Sequence, residues 1–213
     1  MSSFEGGGGS KEADALFIKN FVPEAAINAM TESFINVTVM RTAYARVNLV
    51  ILYGEGYPLT PVKVELSSAT LPPPLLRNKE AECMAAATDC IGKFQEEGNR
   101  NGQVAVVYNL IYDFIQENLF IPCWREIKRV LTLFEEGAEK KGDNKIAADE
   151  KKGMLTVRLK CQGYFQSFKL TVDEMYPEVG VKVSRWDPSY YAVCGAATAM
   201  IKKDMDRGSP GPC

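Results

Sequence analysis

The spacing of apolar residues switches between helical and strand periods several times along this chain. From Lys11 to Phe21 the positions Ala15, Leu16, Phe17, Ile18 and Phe21 suit a short helix, and after Pro23 a second helical turn is expected to reach Met30. The period then falls to two. Phe34, Val37 and Val39 lie in a β-rich run from Ser33 to Arg41, and Val47, Leu49 and Ile51 alternate with Asn48, Val50 and Leu52 from Arg46 to Tyr53. Gly54 to Pro61 reads as a turn and Val62 to Leu66 as a third strand, which together predict an antiparallel meander on short connections. After Pro72-Pro73-Pro74 helical spacing returns from about Leu75 to Glu96, with Ala81, Ala85, Ala86, Cys90, Ile91 and Phe94 available for a buried face. A further helix from Gln103 to Leu119 sets Val104, Val107, Tyr108, Ile111, Phe114 and Ile115 at steps of three and four, opposite Asp113, Gln116 and Glu117. Such a stripe must lie on something apolar, and the sheet is the surface at hand.

The same order then begins again. Ile127, Val130, Leu131 and Phe134 form a helical stripe from about Trp124 to Ala138, and the charged segment Glu139 to Lys152 reads as a solvated loop or linker. Leu155, Val157 and Leu159 alternate with Thr156, Arg158 and Lys160, Phe165 to Val172 makes the next strand, and Val181 and Val183 continue the pattern. A helix from about Ser189 to Asp206 is expected to close this half. The octet Tyr57-Pro58-Leu59-Thr60-Pro61-Val62-Lys63-Val64 reappears as Tyr176-Pro177-Glu178-Val179-Gly180-Val181-Lys182-Val183, five identities in eight at an offset of 176 − 57 = 119 residues. Self-similarity at this period implies two copies of one small domain.

The expected fold class is therefore α+β, two units in tandem, each an antiparallel β-meander packed against helices. Residues 1–10, with Gly6 to Gly9, read as a flexible leader, 11–120 as the first unit, and 121–152 as a linking helix and charged loop. Residues 153–206 read as a partial or divergent second unit, and 207–213 as a tail of linker composition that would suit a connection to a further domain.

Charge narrows the classes of partner. With 25 basic and 27 acidic residues and a formal charge of −2, the chain has no electrostatic footprint for nucleic acid or an anionic membrane. No apolar run has the length of a membrane span, and no basic stretch followed by an apolar segment marks the first thirty residues, so a cytoplasmic protein is expected, with nuclear or cytoskeletal association open. The six cysteines (Cys83, Cys90, Cys123, Cys161, Cys194, Cys213) include no Cys-x-x-Cys pair and the chain has no histidine, so neither a metal nor another cofactor is expected. The missing histidine also removes Ser-His and Cys-His nucleophile pairs and the commonest general base.

A helix, a β-meander, a Tyr-Pro turn and closing helices resemble the layout of the RWD domain, a non-catalytic relative of the ubiquitin-conjugating enzymes. The octet at Tyr57, Pro58 and Pro61 looks like the hallmark of that superfamily. The resemblance covers residues 11 to 120 well, ending in Gln116-Glu117-Asn118-Leu119, and residues 122 to 206 more weakly, since Gly180 replaces the second proline. Pro61 comes one residue earlier than in the usual RWD spacing, which is closer to the conjugating enzymes. The resemblance implies no enzymatic activity and no small-molecule substrate. It implies a docking or scaffold subunit whose partners are other proteins, among them ubiquitin-pathway components and structural assemblies. The readings beside it are a divergent or inactive conjugating enzyme and a subunit of a cytoskeletal or ciliary assembly.

The conjugating enzymes carry their reactive cysteine roughly two dozen residues after the tyrosine, and Cys83 lies 83 − 57 = 26 residues after Tyr57. Cys83 has no histidine to accompany it, and it sits in a run of strong helix propensity beside acids that raise a thiol's pKa, so packing is its expected role. Asp113 and Glu117, four apart, read as the solvated side of a helix rather than a pair of catalytic acids. Trp124, Trp186, Tyr190 and Tyr191 are the aromatic candidates for a recognition surface, with core packing as the alternative. Tyr57 and Pro58, and their counterparts Tyr176 and Pro177, are expected to be structural, the ring packing on the sheet while proline shapes the turn. The helix from Gln103 to Leu119, the helix from Pro122 to Ala138 and any exposed sheet face complete the binding candidates.

Overall fold

The computed structural model describes residues 10–97, 102–137, 144–161 and 164–185. Helix α1, Lys11–Phe21, opens on Ser10, whose hydroxyl accepts the Ala13 N–H at 3.1 Å and so satisfies one of the donors that a helix start leaves free. Its buried residues are Asp14 and Ile18, four apart, while Leu16 and Phe21 are exposed. The expected helical turn to Met30 is replaced by one 3₁₀ turn, Glu24–Ala26, and a strand β1, Ile27–Met30. The cause is pairing: β1 takes its hydrogen bonds from β2, Phe34–Met40, across a register irregularity between Ile27 and Ala29. Edge strands of four residues carry little periodic signal of their own.

Strands β1, β2, β3 (Arg46–Leu52) and β4 (Lys63–Ser67) form an antiparallel sheet in chain order. Alternation places Ile35, Val37, Val39, Val47, Leu49, Ile51, Val64 and Leu66 on one face, where they are buried. That face is covered by α2, Pro73–Glu97, and α3, Gln103–Glu117, whose Val104, Val107, Ile111 and Ile115 complete the larger hydrophobic core. Prolines occupy the first turn of α2, where a backbone N–H would go unused. Arg41, just after β2, donates from Nη1 to the carbonyls of Ile115 (2.8 Å), Gln116 and Asn118 (both 3.2 Å), so a cation closes the negative end of α3.

The chain then passes through a 3₁₀ turn, Ile121–Cys123, into α4, Trp124–Gly137. A second antiparallel sheet follows in chain order, β5 (Lys145–Asp149), β6 (Met154–Cys161), β7 (Tyr164–Thr171) and β8 (Lys182–Arg185). Here too the first strand departs from expectation. The charged stretch read as a loop contains β5, which pairs with β6 from Lys145↔Arg158 to Asp149↔Met154. As an edge strand it leaves Lys145, Ala147 and Ala148 exposed, so alternation of hydrophobicity cannot announce it. With β5 in place, each sheet has four strands in the same order, preceded by a helix and interrupted after its third strand by a Tyr-Pro step. Both steps, Tyr57-Pro58 and Tyr176-Pro177, are cis.

The two sheets meet at a short junction. Leu119 N–H donates to the Glu150 carbonyl at 3.0 Å, and Asn118 bridges the same turn, donating from Nδ2 to the Glu150 carboxylate at 2.9 Å and accepting the Phe120 N–H at 3.0 Å. Gly153 (φ +59°) closes the β5–β6 turn, and a Cβ there would lie 2.7 Å from the Val172 carbonyl oxygen and 3.0 Å from the Leu119 Cβ, so the position admits no side chain. Phe120, Cys123, Ile127, Leu155 and Val172 form a second, smaller core at this junction. Among the described residues no helix is long and apolar enough to cross a membrane. The expected helix from Ser189 to Asp206 lies outside the described residues.

Candidate functional site

The Tyr-Pro step of the first unit is tied into the fold by one acidic residue and one amide. Asp14 is 2% exposed on the inner face of α1, and its carboxylate accepts the Tyr57 hydroxyl and, at 3.4 Å, the Tyr53 hydroxyl. The two rings lie 4.8 Å apart, Tyr53 at the end of β3 and Tyr57 in the turn that follows. Burial raises the Asp14 pKa above the usual aspartate value, and the two tyrosine hydroxyls oppose that shift. The tyrosines move in the same sense: burial, with Asp14 beside them, pushes both phenols well above their ordinary range. Each phenol therefore stays a donor over the physiological range.

Gln103, the first residue of α3, completes the turn. Its Nε2 donates to the carbonyls of Pro58 (2.8 Å) and Thr60 (3.1 Å), and its Oε1 accepts the Val62 N–H at 2.9 Å. Gly102, one residue before, faces Asp14: a Cβ there would come 2.6 Å from Asp14 Oδ1. The loop, α1 and α3 are thus clamped through the side chains of Asp14, Tyr53, Tyr57 and Gln103. Pro61 is exposed and Pro58 half-buried.

The second Tyr-Pro step is held differently. Counted from the first residue of each helix, Asp14 of α1 (14 − 11 = 3) and Ile127 of α4 (127 − 124 = 3) share a place, and Ile127 is apolar and buried. Tyr176 packs against the cluster containing Ile127, while Pro177 is exposed. An apolar contact stands where the first unit has a carboxylate.

Cys83 lies on α2, fully buried in the larger core. Burial, reinforced by Glu82, pushes its thiol up to about 12, which keeps it protonated at neutral pH. Cys123 behaves similarly, at about 11 by burial and the nearby Glu126. The 26-residue interval from Tyr57 places Cys83 inside the protein, consistent with packing. Among the described residues no group of three or more His, Cys, Asp or Glu could hold a metal ion.

The aromatic candidates divide. Trp124 is half-buried, touches both cores, and lines a groove of about 310 Å³ with Pro72, Pro74, Leu75, Ile127 and Leu131. Trp186, Tyr190 and Tyr191 lie outside the described residues. A different set of rings, three of them on the apolar stripes of α1 and α3 and the fourth Tyr112, forms a strip between the two helices. Phe21 stacks on Phe17 (4.9 Å between centroids), Phe17 meets Tyr108 edge-on (5.9 Å), and Tyr108 stacks on Tyr112 (6.1 Å), so the strip crosses from α1 to α3. Its two ends are open to solvent, Phe21 at 68% and Tyr112 at 42% exposure. The roles of Asp14 and Gln103 at the turn are not marked in the sequence, and for Asp14 the trace is slight. Its only sequence signal is an acid four positions before Ile18, on the side of α1 that turns inward. No family model, no curated protein and no solved structure matches this chain.

Proposed function

We propose that this chain is a non-catalytic protein–protein interaction module, a docking or scaffold subunit of a larger complex, built from two RWD-like units in tandem. The common strand order of the two sheets, a helix before each and a Tyr-Pro step after each third strand support the tandem reading. The inward placement of the groups best suited to chemistry supports the non-catalytic one: Asp14 and Tyr57 bond to each other, and Cys83 is buried with its thiol protonated. The observation that carries docking is the aromatic strip across α1 and α3. Exposed aromatic rings supply much of the energy of protein interfaces, and a strip anchored at its centre and open at both ends offers them in a fixed arrangement.

The test is affinity purification of the tagged full chain beside the Phe21→Ser/Tyr112→Ser variant, with bound proteins identified by mass spectrometry. Partners retained by the parent and lost from the variant, with no reductant-sensitive adduct, are expected. An adduct that disappears in Cys83→Ser would replace docking with a ubiquitin-carrier function, and partners indifferent to Phe21 and Tyr112 would remove the strip from the account.

A further inference from the structure

The outer face of the first sheet, turned away from the core, carries polar side chains that hold one another in fixed orientations. Asn28 of β1 shares its two Nδ2 hydrogens among Asn36 Oδ1 (3.0 Å), Thr38 Oγ1 (3.0 Å) and Asn48 Oδ1 (2.8 Å), so one amide ties three strands together. Thr38, Asn48 and Ser67 stand in one cross-strand row, paired Thr38↔Asn48 and Asn48↔Ser67. An amide whose oxygen is engaged on one side presents its NH₂ on the other, so Asn48 offers Nδ2 away from Asn28, on the side where β4 lies. There the strands leave a depression of about 330 Å³, lined by Thr38, Arg46, Asn48, Ser67, Ser68 and Ala69. One wall is braced by Ser68, whose hydroxyl donates to the Arg46 carbonyl at 3.2 Å and accepts the Thr70 and Leu71 N–H groups at 3.3 and 3.4 Å.

We propose that this depression is an oxyanion site that takes a phosphate group, either a phosphate monoester or the free anion. Its lining holds a cation, neutral donors and no acid. Arg46 is exposed, and among the described residues its guanidinium makes no hydrogen bond or ion pair; the Ser67 hydroxyl likewise makes no hydrogen bond there. Both are therefore open to a ligand, and Asn48 Nδ2 is the third donor group. Glu65 stands opposite Val50, in the next row of this face, and is not part of the lining. The number of donors selects phosphate over carboxylate. The two oxygens of a carboxylate are taken up by the guanidinium fork alone, whereas a phosphate paired with Arg46 keeps oxygens for the Asn48 amide and the Ser67 hydroxyl. The assignment uses none of the rings on α1 and α3, so it stands or falls independently of the docking function.

Heteronuclear NMR of the full chain, following the Asn side-chain amides and the Arg Nε–H signals, tests this in titrations with inorganic phosphate and with N-acetyl-phosphoserine amide. Saturable shifts at Arg46 Nε–H and Asn48 Nδ2 are expected, with a Kd of about 1–10 mM that tightens as the probe loses its second proton near pH about 6. Arg46→Gln should weaken binding about tenfold or more and Asn28→Ala, which frees the Asn48 amide to turn, about threefold, while Arg77→Gln, at an exposed cation on α2 outside the lining, should change nothing. Should Arg46→Gln disturb β3, Arg46→Lys keeps the charge without the fork and is expected to weaken binding by a smaller factor. Tighter binding of the phosphoserine amide than of inorganic phosphate assigns the site to a protein-borne phosphate, and equal binding assigns it to the free anion. Absence of shifts at Arg46 and Asn48 at about 50 mM probe, shifts that do not saturate, or a loss as large from Arg77→Gln would each overturn the assignment.

Discussion

Replacing Tyr57 with phenylalanine removes one oxygen atom and asks what the Tyr-Pro motif holds together. The ring stays, so its packing against Tyr53 and the core is kept. What goes is the better of the two hydroxyl donors to Asp14, a carboxylate 2% exposed whose remaining donor, Tyr53, stands at 3.4 Å. A hydrogen bond to a charged group contributes about 1.5–3 kcal/mol, and leaving such a group under-satisfied in the interior places the loss toward the middle of that range, about 2 kcal/mol at pH 7. The loss should shrink in acid. Asp14 has a folded-state pKa raised by burial, so the folded state binds its proton more readily than the unfolded chain does. Its contribution is most favourable below the unfolded value of 3.8 and declines as pH rises through the higher folded value. Tyr57 opposes the raising, so Tyr57→Phe extends that declining window upward and costs most where Asp14 is charged. Urea unfolding at pH 7 and at pH 4 measures both effects. With a slope of about 1–2 kcal/mol/M, a loss of about 2 kcal/mol moves the midpoint of the first unit by about 1–2 M. In an Asp14→Ala background the same substitution should cost under about 0.5 kcal/mol, since the partner is gone. A loss at pH 7 below about 0.5 kcal/mol, a loss as large at pH 4, or an equal loss without Asp14 would show that the hydroxyl does not clamp α1 to the turn.

Three further outcomes follow from the same contacts. Gln103→Ala deletes the bonds to Pro58, Thr60 and Val62 and leaves the Val62 N–H buried, so thermal or urea unfolding should show a loss of about 2–4 kcal/mol. Gly153→Ala puts a Cβ against Val172 and Leu119 at positive φ, and should destabilise the second sheet by about 1–3 kcal/mol while hydrogen exchange in α2 and β2–β4 is unchanged. Cys83 and Cys123 should alkylate at pH 7.5 on the order of 10³-fold more slowly in the folded chain than in 6 M guanidinium, as mapped by mass spectrometry; rapid labelling of Cys83 would contradict its burial.

Much of this architecture is legible along the chain because it is local. Helices α1 to α4 and strands β2, β3, β4, β6 and β7 follow from the spacing of apolar residues, but the buried side of α2 differs from the expected one: Ala81 and Ala85 are exposed and Ala86 half-buried, while Cys83 and Ala87 join Cys90 inside, because alanines carry too little hydropathy to mark a face. The Tyr-Pro octet recurs at an offset of 119 residues, and the two four-stranded sheets share one strand order. The first strand of each sheet is the systematic exception. β1 and β5 lie at sheet edges, where only one neighbour supplies hydrogen bonds and side chains such as Asn28, Ala147 and Ala148 face solvent, so neither shows alternation. Their state is decided by a partner strand arriving from later in the chain.

The site residues divide along the same line. Tyr57 and Pro58 stand out in the sequence because they recur, and Cys83 because of its interval from Tyr57. What these residues do depends on distance through space. Asp14 meets Tyr57 across 43 residues of chain and Gln103 reaches Pro58 across 45, and neither meeting leaves a periodic trace. Likewise α1 buries Asp14 and exposes Phe21, against the hydropathy of both, because the tyrosine hydroxyls stabilise the acid inside while Phe17 and Tyr108 give the outer ring a surface to stack on. Periodicity along the chain thus determined which segments form helices and most strands. Pairing, burial and hydrogen bonding between segments far apart in sequence decided the edge strands, the inward carboxylate and the exposed aromatic strip.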